Sequence, residues 1–138
     1  MPKTFYVGIK GLIVANNKIL LLKCKDKNGN DYWDLPGGRM EDGETISDAL
    51  ERELREELPS IANITIDKLQ GAFKLARSLP DGQGLMLLMY TVHAHLPQIS
   101  LSDEHTGYKW IAKDELHLLE QEAHIHNEYK EIIYQSLG

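Results

Sequence analysis

The segment from Leu35 to Leu58, LPGGRMEDGETISDALERELREEL, restricts the possible folds more than any other part of the chain. A Pro-Gly-Gly turn and a further glycine, Gly43, lead into a stretch with apolar residues at Ile46, Ala49, Leu50, Leu54 and Leu58. These three- and four-residue intervals predict a helix with one apolar face. Thr45, with Asp48 three positions on, supplies a capping-box-like start. At about 100° per residue, Glu53 falls between Ala49 and Ile46, and Glu57 falls between Ile46 and Leu50. Glu56 lies just outside the apolar arc, while Arg52, Arg55, Asp48 and Glu51 occupy the far side. Two carboxylates therefore intrude on the face that packs.

That arrangement is costly in three ways. Glu53, Glu56 and Glu57 are neighbours at i, i+3 and i+4, where like charges repel. They lie in the second half of the helix, where the macrodipole disfavours anions. A buried carboxylate without a partner is expensive. A bound divalent cation offsets all three, and hard oxygen donors suit Mg²⁺ or Mn²⁺ better than zinc. Taken alone, ERELREEL also suits an ordinary charged surface helix. The preceding turn shifts the balance, because Gly37 and Gly38 let bare backbone approach a ligand, and Glu41 and Glu44 add two more carboxylates.

Gly38, five residues, Glu44, seven residues, then Arg52-Glu53-Leu54-Arg55-Glu56-Glu57 resembles the Nudix box, G-x5-E-x7-R-E-U-x-E-E-x-G-U, where U is a bulky aliphatic. Only the tail departs: Pro59 stands where the family has glycine and Ser60 where it has the aliphatic, with Ile61 one step on. Pro59 still suits the end of a helix. A second stretch, Ser102-Asp-Glu-His-Thr-Gly-Tyr-Lys-Trp110, is similar to the S-x-E-H-x-x-x-x-W segment of many Nudix hydrolases. There the loop carries a further carboxylate toward the metals, and Glu104 is the matching residue. The alternative is a polar loop before a strand Tyr108 to Ala112, with Trp110 in the core. His105 ranks below Glu104 for a direct role.

The remainder reads as scaffold. Residues 5 to 15 and 18 to 25 predict a hairpin turning at Asn16-Asn17. Asp26 to Asp31 is a polar loop, and Tyr32 to Leu35 a short extended piece whose aromatics either pack or stack on a base. Strands follow at about Ile64 to Ser78 and Leu85 to His95. The second is almost continuously apolar (LMLLMYTV), as a strand covered on both faces would be. His93 and His95 share a strand face without a third nitrogen or sulfur ligand in register, so they read as solvated residues. Lys113 to Leu119 predicts a short helix, and about Gln121 to Leu137 a packing helix with Ile125, Tyr129, Ile132, Ile133 and Leu137 on one side. His117, His124 and His126 are expected at the surface. The expectation is a single domain over residues 1–138 of the α/β (α+β) class. A mixed sheet lies between helices, the α/β/α sandwich that the Nudix resemblance also implies.

Composition narrows the function. A net charge of −6 gives no electrostatic case for nucleic acid polymers. An acidic protein acting on an anionic nucleotide needs metal between the like charges. The lone Cys24 permits no internal disulfide and reads as a buried strand thiol. With no signal peptide or apolar span, a cytoplasmic protein without membrane attachment is expected. Monomer and homodimer are both compatible with the sequence.

The resemblance implies metal-dependent hydrolysis of a diphosphate linkage in a nucleoside-diphosphate-linked compound, giving a nucleoside monophosphate and a phosphate fragment. It places the metal among Gly38, Glu53, Glu56 and Glu57, and substrate at Gly37, Gly38 and Arg39. Glu53, Glu56, Glu104 and Arg52 take the catalytic roles. Glu56 and Glu104 are the two candidates for general base, and Arg52 orients the glutamates. Small members acting on nucleoside triphosphates are the nearest likeness. Dinucleoside polyphosphates, ADP-sugars and a non-catalytic nucleotide sensor remain as alternatives.

Overall fold

A computed structural model describes residues 2–138. Strands β1 (Phe5–Ala15) and β2 (Lys18–Lys25) form the expected hairpin. Asn16 and Asn17 turn it with φ of 52° and 59°, the left-handed values that a two-residue hairpin turn requires and asparagine tolerates. The chain continues through β3 (Asp31–Asp34), β4 (Gly37–Arg39), helix α1 (Ile46–Glu57), β5 (Ala62–Lys74) and β6 (Gly84–His95). Then come β7 (Gly107–Ile111), one turn of 3-10 helix (Lys113–Glu115), α2 (Leu116–Leu119), β8 (His124–Ile125) and α3 (Asn127–Ser136).

The strands make one mixed, curled sheet in the order β5-β6-β1-β2-β3-β8, with β4 also pairing β1 and β7 also pairing β2. β1 runs parallel to β6 and β3 parallel to β8. Alternation along β1 shows how the layers are built. Ile9 and Ile13 join Ala49, Leu50 and Leu54 of α1 and its C-cap Leu58 in one core, whereas Leu12 joins Tyr129, Ile132 and Ile133 of α3 in another. β6 lies between β5 and β1 and divides likewise: Leu87 and Met89 face α3, and Val92 faces α1. The predicted two-sided covering of this strand and the sandwich are both borne out.

Thr45 caps α1, its Oγ1 accepting the Asp48 N–H at 3.1 Å. α1 ends just before Pro59, and Ile61 turns back into the core at 4 % exposure. The last helix is shorter than its apolar periodicity suggested. Ile125 reaches the core from β8, and α3 starts only after His126, whose Nδ1 accepts the Glu128 N–H. A two-residue strand against β3 therefore replaces the first turn and a half. No helix among the described residues is long and apolar enough to cross a membrane.

Candidate active site

The site assembles where β4 meets α1. Gly37 has φ of +139°, and a Cβ there would run into the Ile9 carbonyl oxygen, so only glycine fits the turn. β4 pairs with β1 through Ile9 opposite Gly38 and Lys10 opposite Gly37. This lays the turn flat beside α1. The Glu53 carboxylate rests on Gly38, where an added Cβ would lie 2.5 Å from Oε2 and 2.6 Å from Oε1.

The three box glutamates occupy three environments. Glu57 is buried, 6 % exposed. Its Oε1 accepts the Gly37 N–H at 2.6 Å, and its Oε2 meets His105 Nε2 at 3.1 Å. Glu53 is half-buried, and burial raises its carboxyl pKa, with Arg52 opposing and Glu57 and Glu56 adding to the rise. Glu56 keeps 59 % of its side chain in solvent. Glu53 and Glu57 thus reach the glycine turn while Glu56 stands at its open flank. Among the described residues no three carboxylate, imidazole or thiol groups converge tightly enough to hold an ion.

Arg52 is the organiser. Its Nε and Nη2 grip both oxygens of Glu44 at 2.7 and 3.0 Å, and its Nη1 donates to Glu53 at 2.9 Å and Glu56 at 3.4 Å. Nη2 also donates to the Arg39 carbonyl at 3.2 Å, tying β4 to the helix. Glu41 lies 3.9 Å away. The Glu44 carboxyl is held down to about 2, first by Arg52 and then by the Glu41 N–H. Four carboxylates around one guanidinium leave three formal negative charges uncompensated, and Glu57 stands beside them. That excess is of hard oxygen donors, the kind a divalent cation takes, although they do not converge on one point.

The loop between β6 and β7 docks on the same helix end. Ser102 N–H donates to the Glu57 carbonyl at 3.2 Å. His105 enters beneath it, its pKa pushed up to about 10 by the Cys24 sulfur and the Glu57 carboxylate beside it. Glu104, the residue singled out in the sequence, is exposed at the turn, and Arg39 lies exposed at the rim with its guanidinium 4.2 Å from the centre of the Tyr6 ring. His93 and His95 are exposed on β6, far along the strand from the turn. Cys24 is buried in β2 as expected.

Sequence reasoning missed Lys10. It lies in β1 as one polar residue in an apolar run, and that interruption is its only signal. It is 9 % exposed and donates to Asp34 Oδ2 at 3.0 Å. Burial alone would depress the ammonium, but Asp34 and then Glu57 hold its pKa above the usual lysine value. Lys10 and Asp34 border a half-open cavity of about 340 Å³ between the sheet and α3, lined also by Leu85, Leu87, His126 and Tyr129. Lys10 pairs with Gly37 across the β1–β4 ladder, and Asp34 precedes Gly37 by three positions, so cavity and glutamate cluster share a wall.

The site is a glycine turn laid against a carboxylate-rich helix, on a mixed sheet between helices. The NUDIX domain family model matches residues 6–133, and the chain belongs to that family as a Nudix pyrophosphohydrolase. It is 31 % identical over 116 residues to the nucleoside triphosphatase NudI of Salmonella paratyphi B, covering 78 % of this chain and 82 % of that one. It is 41 % identical over 58 residues to an ADP-ribose pyrophosphatase of Methanocaldococcus jannaschii, covering 42 % of this chain but only 34 % of the relative. Among solved structures, the ORF135 protein of E. coli superposes with a TM-score of 0.77 at 23 % identity, covering 95 % of this chain and 87 % of that one. The E. coli dihydroneopterin triphosphate pyrophosphohydrolase gives 0.73 at 22 % identity, covering 98 % of each.

Proposed function

We propose that the chain hydrolyses nucleoside triphosphates, in ribo or deoxy form, to a nucleoside monophosphate and a phosphate fragment, and that it needs Mg²⁺ or Mn²⁺ to do so. The observation that carries this reading is the uncompensated negative charge around Arg52 at a turn shaped for close backbone approach. An anionic diphosphate enters such a site only with cations. Glu53, Glu56, Glu57 and the Gly38 carbonyl would hold the metal. When bound, it neutralises the diphosphate, acidifies a water and stabilises the phosphorus transition state.

The chain's own groups divide the remaining work. Glu56, the most exposed box carboxylate, is free to take a proton from water, and Glu104 is the second candidate for that base. Glu57 has one partner on each oxygen, Gly37 and His105, and so holds the turn to the helix while keeping lone pairs for the metal. Arg52 sets the orientation of Glu44 and Glu53 through charge-assisted bonds. Gly37 and Gly38 provide the surface on which phosphate lies, and Arg39 supplies positive charge at its rim. The cavity lies at the small end of the 300–1,000 Å³ range typical of ligand pockets. It suits a single nucleoside better than the two of a dinucleoside polyphosphate. Similarity to NudI over most of both chains points the same way.

The test is phosphate release from a panel of nucleoside triphosphates, ADP-ribose and dinucleoside polyphosphates, with Mg²⁺ and then with chelator, identifying products. Triphosphates are expected to give the highest kcat/KM, and chelator to abolish turnover. Activity that survives chelation, or in Glu53→Gln, Glu56→Gln and Glu57→Gln variants, would remove the metal assignment. Absence of hydrolysis of any panel member would favour a nucleotide sensor.

A further inference from the structure

The wall of the cavity beside the glycine turn carries the Lys10 and His126 donors, with Tyr32, His124 and Tyr129, whose polar atoms can donate or accept, also along it. Lys10 has three ammonium donors and places one on Asp34. At 9 % exposure, its other two point into protein or cavity rather than bulk water. Asp34, the only carboxylate on the cavity wall among the described residues, accepts one bond on each oxygen: Oδ2 from Lys10 and Oδ1 from the Leu35 N–H at 2.8 Å. His126 accepts the Glu128 N–H on Nδ1 at 3.2 Å, so in its neutral form the ring carries its proton on Nε2 and is a second donor. Its ring is held against Phe73 with centroids 5.0 Å apart. Leu75, Leu85 and Leu87 make the apolar part of the lining.

A ligand edge that satisfies this wall must bring acceptors. We propose that Lys10, oriented by Asp34, together with His126, reads a carbonyl oxygen of the base. The enzyme then prefers nucleotides with a keto group at the pyrimidine 4 or purine 6 position over those with an amino group there. The inference rests on the reading that the cavity receives the nucleoside. An amino group in that place sets N–H against N–H, and each Asp34 oxygen already accepts one bond. A site built to bond one polar group discriminates strongly against a ligand that lacks it.

Two pairs exchange the keto group for an amino group, together with the proton on the neighbouring ring nitrogen: dUTP against dCTP, and dITP against dATP. In the wild-type protein with Mg²⁺, kcat/KM is expected to favour the keto member of both pairs by roughly tenfold or more, mainly through KM. In Lys10→Met the preference should fall to within about threefold, while Lys10→Arg, which keeps donors, should retain part of it. Binding of dUMP and dCMP without metal, followed by calorimetry, should show the same preference independently of turnover. Equal or reversed selectivity in wild type, with hydrolysis intact, overturns the inference and leaves the hydrolase reading standing. So does full selectivity in a folded Lys10→Met protein. Selective binding of dUMP with no hydrolysis of any triphosphate would instead sink the hydrolase reading and support the base-reading wall. If Lys10→Met does not fold, the wild-type comparisons decide the matter alone.

Discussion

Glu56 and Glu57 are adjacent, chemically identical and equally demanded by the box pattern, yet their removal should have very different consequences for stability. Glu57→Ala orphans the Gly37 N–H, which is buried and has Glu57 Oε1 as its partner at 2.6 Å. A buried donor left unpaired costs about 1–3 kcal/mol. The same change strips His105 of the carboxylate at 3.1 Å and leaves a small cavity under α1. Together these reach the ~3–5 kcal/mol typical of breaking one side of a buried pair. Glu56→Ala removes one exposed carboxylate 3.4 Å from Arg52, a pair worth at most ~1 kcal/mol, and relieves repulsion from its neighbours. Metal-free protein should therefore lose about 10–20 °C in Tm with Glu57→Ala and less than about 4 °C with Glu56→Ala. Thermal scans in chelator, confirmed by urea titration, measure both. Glu57→Gln should lie between them, since its carbonyl can still accept from Gly37. If Glu57→Ala were no more destabilising than Glu56→Ala, Glu57 would not be holding the turn, and the division of labour among the glutamates would fail.

Gly38→Ala places a methyl against the Glu53 carboxylate, which can swing aside. The expected result is a folded protein, by circular dichroism, whose kcat/KM falls about a hundredfold, as misplacement by about 1 Å can produce. Arg52→Lys cannot reproduce the two-pronged grip on Glu44, so a loss of about 10–100-fold in metal affinity or turnover is expected. Mn²⁺ titration followed by electron paramagnetic resonance checks it. Glu44 titrates near 2 in the folded chain against about 4.5 when unpaired. Its contribution to stability is present above about 4.5 and lost as pH falls toward 2. The Tm difference between wild type and Glu44→Gln should shrink over that window, and a constant difference would contradict the assignment.

Much of this enzyme is written in local order. The spacing of Ile46, Ala49, Leu50, Leu54 and Leu58 determines α1 and its buried face, because a helix brings residues three and four apart together. Asn16-Asn17 determines the hairpin, and the unbroken apolar run of β6 requires cover on both sides. The box pattern identifies the chemistry, since it specifies residue types at distances along one chain segment. What sequence could not decide depends on residues far apart in the chain meeting in space. Glu57 differs from Glu56 because Gly37 and His105 come to it from twenty residues before and forty-eight after. α3 begins late because β3 offers β8 an edge to pair with, which outweighs helical periodicity at Ile125. Lys10 looks like a lone polar residue in a strand until the sheet sets Asp34 beside it. Periodicity encodes which face is buried. Only tertiary pairing decides which buried polar groups find partners, and so which are free to meet a substrate.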